Sequence, residues 1–371
     1  MSSDSDVAFA ETYASARARF REAALAAGAW LESVAHPAAR GPQGEILTFD
    51  VAWRAPARAT RWLVMISGTH GSEGLAASAL LTQAWQAGVL SPRDDVGVLM
   101  VHALNPYGFA HLSRTNENNV DLNRNFLDFA QGVPANPGYA ELHDDLCIDP
   151  ESAAAREAAG RIAAWRDQHG QSAYMAALFN GQYAYPDGLL YGGQQPEWSA
   201  VQLEHVLRRH LQGARHVAFI DWHTGLGEYG KPFFLCFNPA GSETRRQCQQ
   251  WWGIDRIEHQ AGFDGGARPQ YAGLVFQGVE RIVAPARMAG AVIEFGTTPP
   301  DQTIQGLQRD RWLRLHGDRL APVDRQRLQT LALESFCPSD PVWRANVMRE
   351  GLIIMEQAWQ GIAAWSSEES A

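Results

Sequence analysis

Four short apolar runs, separated by helix-like stretches, constrain the fold of this chain more than any other feature. Each run has the length and composition of a buried strand, and together they cover residues 62–66, 96–104, 216–220 and 290–293. Helical spacing of apolar residues follows the first run, and further helical patterns occur at 151–170 and 197–211. Strands that alternate with helices predict an α/β fold, with a mixed, largely parallel central sheet flanked by helices.

Further helices are expected at both ends of the chain. An amphipathic helix is predicted over residues 7–34, followed by a strand pair over 45–53 and 61–66. From residue 301 to residue 365 the chain is again predicted to be helical. We therefore expect residues 1–371 to form a single domain, whose core at 45–300 lies between these helical ends.

Composition excludes several classes of function. The net charge is −10 and no long run of like charge occurs, which argues against a nucleic-acid partner. Asp4 and Asp6 stand where a signal peptide would have basic residues, and no apolar run is long enough to span a membrane. The four cysteines form no Cys-x-x-Cys pair and are expected to be reduced thiols. These features predict a cytoplasmic protein, and they carry no signal of its oligomeric state.

The turn after the first apolar run carries a histidine and a carboxylate. In the sequence Gly-Thr-His-Gly-Ser-Glu-Gly at 68–74, His70 and Glu73 lie between a predicted strand and a predicted helix. Two such side chains three residues apart can point at one cation, and this pair of residue types suits zinc. The spacing alone is weak evidence for a metal site, because it is common by chance. However, His223 and Glu294 follow two other apolar runs, and ligands bind at the carboxyl ends of parallel strands.

Taken together, these residues have the composition of a catalytic zinc site. Three ligands, His70, Glu73 and His223, would leave the fourth tetrahedral position to water, whereas structural sites are usually closed by four Cys or His ligands. Bound zinc lowers the pKa of its water, and Glu294 is available as the base that takes the proton. The sequence thus predicts one zinc ion per chain and a hydrolytic function.

Hydrolysis of an amide also requires groups that stabilise the developing oxyanion and orient the substrate. The polar stretch 113–126 offers Arg114 and Arg124, with Asn123 beside the latter. An arginine suits a substrate carboxylate because the pairing is bidentate.

The order of these motifs resembles the zinc carboxypeptidases of the carboxypeptidase A-like superfamily. The matching segments are His-x-x-Glu at 70–73, Asp-Leu-Asn-Arg-Asn-Phe at 121–126, Asp-Trp-His at 221–223 and Ile-Glu-Phe at 293–295. The resemblance covers roughly residues 45–300. The residues around the two histidine motifs are more similar to a poorly characterised bacterial subfamily than to the digestive enzymes. It implies a zinc carboxypeptidase-like fold, with extra N- and C-terminal helices in this chain, and a zinc metallopeptidase activity.

The resemblance also implies roles for individual residues. His70, Glu73 and His223 match the zinc ligands of the family, and Glu294 matches its general base.

Five further residues match positions around the metal. Asn123 and Arg124 match the pair that binds the substrate's terminal carboxylate, and Asp121 matches the carboxylate that orients the first histidine ligand. Arg114 matches the arginine that stabilises the oxyanion, although it lies closer in sequence to Asn123 than in the family. Tyr271 is the candidate for the family's mobile tyrosine, in a sequence context that departs from the family pattern.

Three functions remain open at this stage. The first is a zinc carboxypeptidase that releases the C-terminal residue of a small peptide. The second is a deacylase of an N-acyl amino acid, similar to aspartoacylase and succinylglutamate desuccinylase, whose substrate would present the same carboxylate and amide to Arg124 and the metal. The third is a non-catalytic zinc-binding module, and Glu294 counts against it because binding alone needs no base.

Overall fold

Seven strands form one mixed sheet at the centre of the computed structural model, which describes residues 9–259 and 268–365. The strands are β1 (Trp30–Arg40), β2 (Ile46–Arg54), β3 (Arg61–Ile66), β4 (Val96–His102), β5 (His216–Tyr229), β6 (Pro232–Leu235) and β7 (Arg287–Gly296). Their order is β1-β2-β4-β3-β5-β7-β6. The central strands β4, β3, β5 and β7 are parallel, whereas β1, β2 and β6 run antiparallel to their neighbours. The predicted mixed, largely parallel sheet is confirmed.

Thirteen α-helices of the described residues surround this sheet. They are α1 (Tyr13–Ala26), α2 (Gly74–Gln86), α3 (Pro106–His111), α4 (Pro137–Leu146), α5 (Ala155–His169), α6 (Gln171–Phe179), α7 (Trp198–His210), α8 (Glu243–Trp252), α9 (Ile254–Glu258), α10 (Val275–Val283), α11 (Pro300–His316), α12 (Pro322–Glu334) and α13 (Pro341–Ala364). Short 3₁₀ turns occur at Gly71–Glu73, Leu122–Arg124, Phe129–Gln131 and Gly317–Arg319. None of the helices in this part of the chain has the combination of length and apolarity that crossing a membrane requires.

Apolar helix faces cover both sides of the sheet. On one side α1, α2 and α13 bury Phe20, Leu80 and Met355 in the core. On the other side α7 and α10 bury Leu203 and Val279. Helices α4, α6 and α11 form a third apolar cluster. The sheet is thus covered on both faces, as parallel strands require.

The predicted N-terminal helix over 7–34 is wrong in extent. Helix α1 begins after Thr12, whose side chain accepts a hydrogen bond from the Ser15 main chain, and residues 7–8 lie outside the described residues. The helix is followed by Gly28, which has a positive φ of 74°. Trp30 then begins β1, because β2 pairs with it in an antiparallel ladder that runs without interruption from Trp30 to Ala35. The apolar spacing on which the prediction rested continues past the end of the helix by coincidence.

The predicted strand pair over 45–53 and 61–66 is also wrong, although both strands exist. Strand β2 pairs with β1 and β4, while β3 pairs with β4 and β5. Strand β4 therefore lies between the two strands that were expected to be neighbours. A strand formed by 30–40, which the sequence did not reveal, supplies the partner for β2 instead.

Two strands are longer than predicted, with a consequence for the site. Strands β5 and β7 continue through the polar residues that were taken as their ends, so that His223 and Glu294 lie inside them. The two residues are direct partners in the parallel ladder. Their side chains therefore leave the sheet side by side on the same face. The predicted helical segment 301–365 is occupied by α11, α12 and α13, and the single-domain organisation remains a prediction.

We expect the stability of this fold to decrease in mild acid because of His102. Its imidazole is fully buried, lies 2.7 Å from the Ser78 hydroxyl and stacks on Phe20. Burial lowers its pKa to about 4, from 6.5 in an exposed histidine. The unfolded chain therefore binds a proton more readily than the folded chain between these two pH values. The free energy of unfolding should fall by up to about 3 kcal/mol as the pH decreases from 6.5 to 4.

Urea unfolding at several pH values would measure this effect. The slope of the unfolding free energy against pH should be shallower in His102→Gln, and unchanged in a control, His169→Gln, whose residue is exposed. Equal slopes in wild type and His102→Gln would show that His102 is not responsible.

Candidate active site

A tight turn between β3 and α2 presents the first two predicted metal ligands. The 3₁₀ turn Gly71–Glu73 follows His70 and leads directly into α2. Gly71 is required at this position because a Cβ atom there would lie 1.9 Å from the carbonyl carbon of Gly108. The turn brings His70 Nδ1 to 2.8 Å from Glu73 Oε1.

His223 approaches this pair from strand β5. Its Nδ1 atom lies 3.1 Å from His70 Nδ1 and 3.1 Å from Glu73 Oε2. All three side chains are buried. They offer two imidazole nitrogens and a carboxylate whose candidate ligand atoms all lie within 4.8 Å of one another.

The composition and spacing of these donors fit a zinc ion. Ligands about 2.0–2.1 Å from a tetrahedral zinc lie roughly 3.3 Å from one another. The three separations of 2.8–3.1 Å between His70, Glu73 and His223 are a few tenths of an ångström shorter, which small rotations of the side chains would correct. Two imidazole nitrogens that face each other at 3.1 Å need a proton or a cation between them. The Nδ1 atoms of His70 and His223 therefore point at one position where a cation can bind.

A buried carboxylate lies behind each imidazole. His70 Nε2 lies 3.1 Å from Asp121 Oδ1, and His223 Nε2 lies 2.9 Å from Asp221 Oδ2. Such pairs fix the orientation of a ring, so that the opposite nitrogen, here Nδ1, faces the metal. The structure places Asp121 beside the first histidine, and the orienting role that the resemblance implies for it stays a prediction.

Asp221 was not predicted, although the sequence contained a signal for it. Residues two positions apart on a strand face the same way, and Asp221 precedes His223 by two positions. The hydroxyl of Thr69 donates to Asp221 Oδ1 at 2.8 Å, and the Thr224 main-chain N–H donates to Glu73 Oε2 at 3.0 Å. These two hydrogen bonds fix the carboxylates of Asp221 and Glu73 and so restrain the three candidate ligands.

The electrostatics of this cluster favour a cation. Burial opposes the ionisation of Glu73, but the charges of His70 and His223 outweigh it and hold the pKa of Glu73 below its usual value. Burial likewise disfavours the charged form of His223, but Asp221 and Glu73 raise the pKa of this imidazole well above its usual value. The carboxylates of Glu73, Asp121 and Asp221 thus create a negative potential that a metal ion can neutralise.

Glu294 lies beside His223 across the β5–β7 ladder. It also lines a pocket that His70 and Glu73 border. Its Oε2 atom accepts a hydrogen bond from the Leu226 main chain at 3.3 Å. Burial, together with the charge of Glu73, raises the pKa of Glu294 to about 7, against a lowering effect of His223. A carboxylate with such a pKa can accept and return a proton near neutrality.

Arg114 reaches the cluster from the loop after α3. Its Nε atom donates to Asp121 Oδ2 at 2.9 Å, and its Nη1 atom lies 3.4 Å from Glu73 Oε1. The guanidinium therefore lies at the edge of the ligand set, where its remaining donors can meet a substrate oxygen.

Arg124 is buried at the other side of the pocket, with 3% of its surface exposed. Two of its nitrogens donate to main-chain oxygens of Asn123 and Phe179, at 2.6 and 2.7 Å, and Nε has no hydrogen-bond partner. No carboxylate of residues 9–259 and 268–365 forms an ion pair with it. Burial accordingly lowers the pKa of Arg124. Asn123 is held beside it by a 2.9 Å hydrogen bond from the Val275 main chain.

Tyr271 packs against this arginine. The Arg124 guanidinium carbon lies 5.1 Å from the centre of the Tyr271 ring, and Phe237 meets the same ring edge-on at 5.9 Å. Burial raises the pKa of Tyr271 to about 12, so the phenol is neutral at physiological pH. The structure thus places Tyr271 in the pocket, and its predicted role remains untested.

One pocket unites most of these groups. Seven of the nine predicted site residues line it, namely His70, Glu73, Arg114, Asn123, Arg124, Tyr271 and Glu294. Three further lining residues, Thr303, Leu307 and Phe336, belong to the C-terminal segment, which the sequence had placed outside the core at 45–300. No motif marked them, because Thr303 and Leu307 look like ordinary positions of a helix and Phe336 looks like an ordinary core residue after the next one.

Comparison with known families gives one match over most of the chain. The family described as "Protein of unknown function (DUF2817)" matches residues 9–350. This description agrees with the expectation of a poorly characterised group. No curated protein matches the sequence.

Solved structures with a similar fold share little sequence with this chain. Thrombin activatable fibrinolysis inhibitor is 11% identical, with a TM-score of 0.49 over 98% of this chain and 77% of that chain. The bovine protein, solved with tick carboxypeptidase inhibitor, is 11% identical, with a TM-score of 0.48 over 95% and 97% of the two chains. A metallo-carboxypeptidase from Pseudomonas aeruginosa is 16% identical, with a TM-score of 0.40 over 91% and 68%. At this identity and similarity, the case for function depends on the side chains of the pocket.

Proposed function

The chain belongs to the DUF2817 family of proteins of unknown function, and we propose that it is a zinc-dependent hydrolase that cleaves an amide bond beside a free carboxylate. In its specific form the proposal is a metallocarboxypeptidase that releases the C-terminal residue of a small peptide. The observation that carries it is the buried Arg124, which has no carboxylate partner among the described residues and faces the same pocket as the zinc-type ligand set. A buried, unpaired cation is costly unless a ligand neutralises it.

The residues around the candidate metal position have different roles in the proposed hydrolysis. His70, Glu73 and His223 would hold the zinc ion, which would polarise the amide carbonyl and lower the pKa of a bound water. Glu294 accepts a proton from the attacking water and returns it to the departing amine. Arg114 donates hydrogen bonds to the oxygen on which negative charge develops.

The opposite side of the pocket binds the part of the substrate that carries the carboxylate. Arg124 forms a charge-assisted pair with that carboxylate, and Asn123 lies beside it. Most of the remaining wall is apolar and includes Leu235, Phe237, Leu274 and Val292. The residue released therefore has an apolar side chain, because a charged one would lose its hydration there without gaining a partner.

Substitution of Arg124 tests this proposal. We expect Arg124→Ala to lower kcat/KM at least about tenfold, chiefly through KM, because the lost contact exists in both the ground and the transition state. The matched control is Arg161→Ala, since Arg161 is an exposed arginine paired with Asp145 outside the pocket. It should leave both constants unchanged.

A change in the substrate makes the test specific. Wild type should discriminate strongly against a substrate whose carboxylate is converted to a carboxamide, and Arg124→Ala should barely distinguish the two compounds. Dipeptides and N-acyl amino acids should both be assayed, since each presents a carboxylate next to an amide. If the variant discriminates as strongly as wild type, Arg124 does not bind the carboxylate.

A further inference from the structure

Asp310 is a buried carboxylate to which the mechanism above gives no role. It lies in the middle of α11, with 6% of its surface exposed, in the segment that the sequence placed outside the core. Burial raises its pKa to about 6, although hydrogen bonds from Arg114 and Ser113 and the charges of Arg114 and Arg314 act in the opposite direction. At pH 7 and above it is therefore an ionised acceptor of hydrogen bonds.

The donors to Asp310 come from the loop that carries Arg114. Asp310 Oδ2 accepts a hydrogen bond from the Arg114 main-chain N–H at 2.8 Å and another from the Ser113 hydroxyl at 3.3 Å. One turn further along α11, Arg314 Nε donates to the Thr115 hydroxyl at 3.1 Å. Helix α11 thus forms hydrogen bonds with three consecutive residues of this loop, 113–115.

The main chain of Arg114 is also hydrogen-bonded to the turn that presents His70 and Glu73. Its carbonyl oxygen accepts hydrogen bonds from Gly71 N–H at 3.3 Å and from the Asn105 side chain at 3.2 Å. Gly71 lies between His70 and Glu73 in sequence. Arg114 is therefore held on one side by Asp310 and on the other by the turn that presents two candidate ligands.

These contacts fix the start of a long side chain whose end must be placed accurately. The Arg114 guanidinium meets Asp121 and Glu73 at 2.9 and 3.4 Å, and a displacement of its main chain would carry the donors away from the pocket. Small displacements of catalytic groups reduce rates strongly. We infer that Asp310 is a positioning residue, which sets the Arg114 donors for the reaction by holding the Arg114 main-chain N–H. This inference rests on the proposed hydrolytic function.

A double-mutant cycle with Arg114 separates positioning from a merely structural role. Asp310→Ala should lower kcat at least about tenfold with KM within about threefold, because the oxyanion contact acts on the transition state. In an Arg114→Ala background the same substitution should change kcat by less than about threefold, since the group that it positions is already absent. Zinc content and far-UV circular dichroism should be unchanged in both variants.

Two variants sharpen this test. Asp310→Asn retains an oxygen that can accept the Arg114 N–H and should keep most of kcat. Asp318→Asn is the matched control, because Asp318 is an exposed acid that follows α11 and pairs with Arg325 at the surface. If Asp310→Ala does not fold, Asp310→Glu takes its place in the cycle, because the extra methylene moves the acceptor while keeping the charge.

A second readout does not depend on turnover. Hydrogen exchange of the Arg114 amide should be at least about tenfold faster in Asp310→Ala than in wild type, and should stay close to wild type in Asp310→Asn. Equal effects of Asp310→Ala in the presence and absence of Arg114, or unchanged exchange at Arg114, would overturn the inference. If wild type hydrolyses no substrate, the proposed function fails instead, whatever the exchange data show.

Discussion

Replacing Glu294 with glutamine should lower kcat by about 10²–10⁴-fold while the protein keeps its fold and its zinc. Glutamine has nearly the same shape and can still accept the hydrogen bond from the Leu226 main chain, but it cannot take a proton from water. Because Glu294 is not among the three candidate ligands, metal content should remain near one zinc ion per chain. Turnover on a dipeptide or N-acyl amino acid, together with elemental analysis, measures both quantities.

The pH dependence of the same variant gives a second check. A general base must be ionised, so kcat/KM of wild type should fall as the pH decreases through the pKa of Glu294. Burial raises that pKa to about 7, and a neighbouring zinc ion would lower it again, so this acid limb should lie below pH 7. Glu294→Gln should lose the limb, whereas the control Glu280→Gln, on the exposed side of α10, should keep it. Near-wild-type turnover in Glu294→Gln would exclude the role of base.

Replacing His70 with alanine should remove both zinc and activity. The variant keeps one imidazole and one carboxylate of the ligand set, and it leaves Asp121 without the ring that it orients. Two ligands bind zinc far more weakly than three, so we expect zinc in the purified variant to fall to a small fraction of the wild-type value, with turnover below detection. Elemental analysis of both proteins after the same dialysis makes the comparison.

A histidine outside the pocket is the matched control for this substitution. His169 is exposed at the end of α5 and stacks on Trp165, so His169→Ala should retain full zinc and activity. Equal zinc in wild type and His70→Ala would refute the assignment of His70 as a ligand.

The sequence was most informative where chemistry and topology coincide. His70 and Glu73 could be placed because a buried apolar run, a short polar turn and a helical pattern follow one another there. His223 and Glu294 could be placed at the ends of two different strands, and ligands bind outside the carboxyl ends of parallel strands. Their lateral pairing could not be predicted, because the polar residues at 221–225 looked like the end of a strand that in fact continues to Tyr229.

Contacts between distant segments were not predictable from local patterns. The edge strand β1 exists because β2 pairs with it, while the apolar spacing of its first residues continues that of a helix. Asp310 resembled any acid on a helix, and only the docking of α11 on the 113–115 loop shows what it holds. The contribution of α11 to the pocket was missed for the same reason, because tertiary packing determines it.

Zinc titration of chelator-treated protein tests the central claim most directly. Release of the free amino acid from a panel of dipeptides and N-acyl amino acids would be measured while zinc is added back in known amounts. The proposed mechanism predicts no release without metal and a rate that rises with zinc, reaching its maximum at about one ion per chain. Full hydrolysis by the zinc-free protein, or no hydrolysis of any member of the panel at saturating zinc, would contradict it.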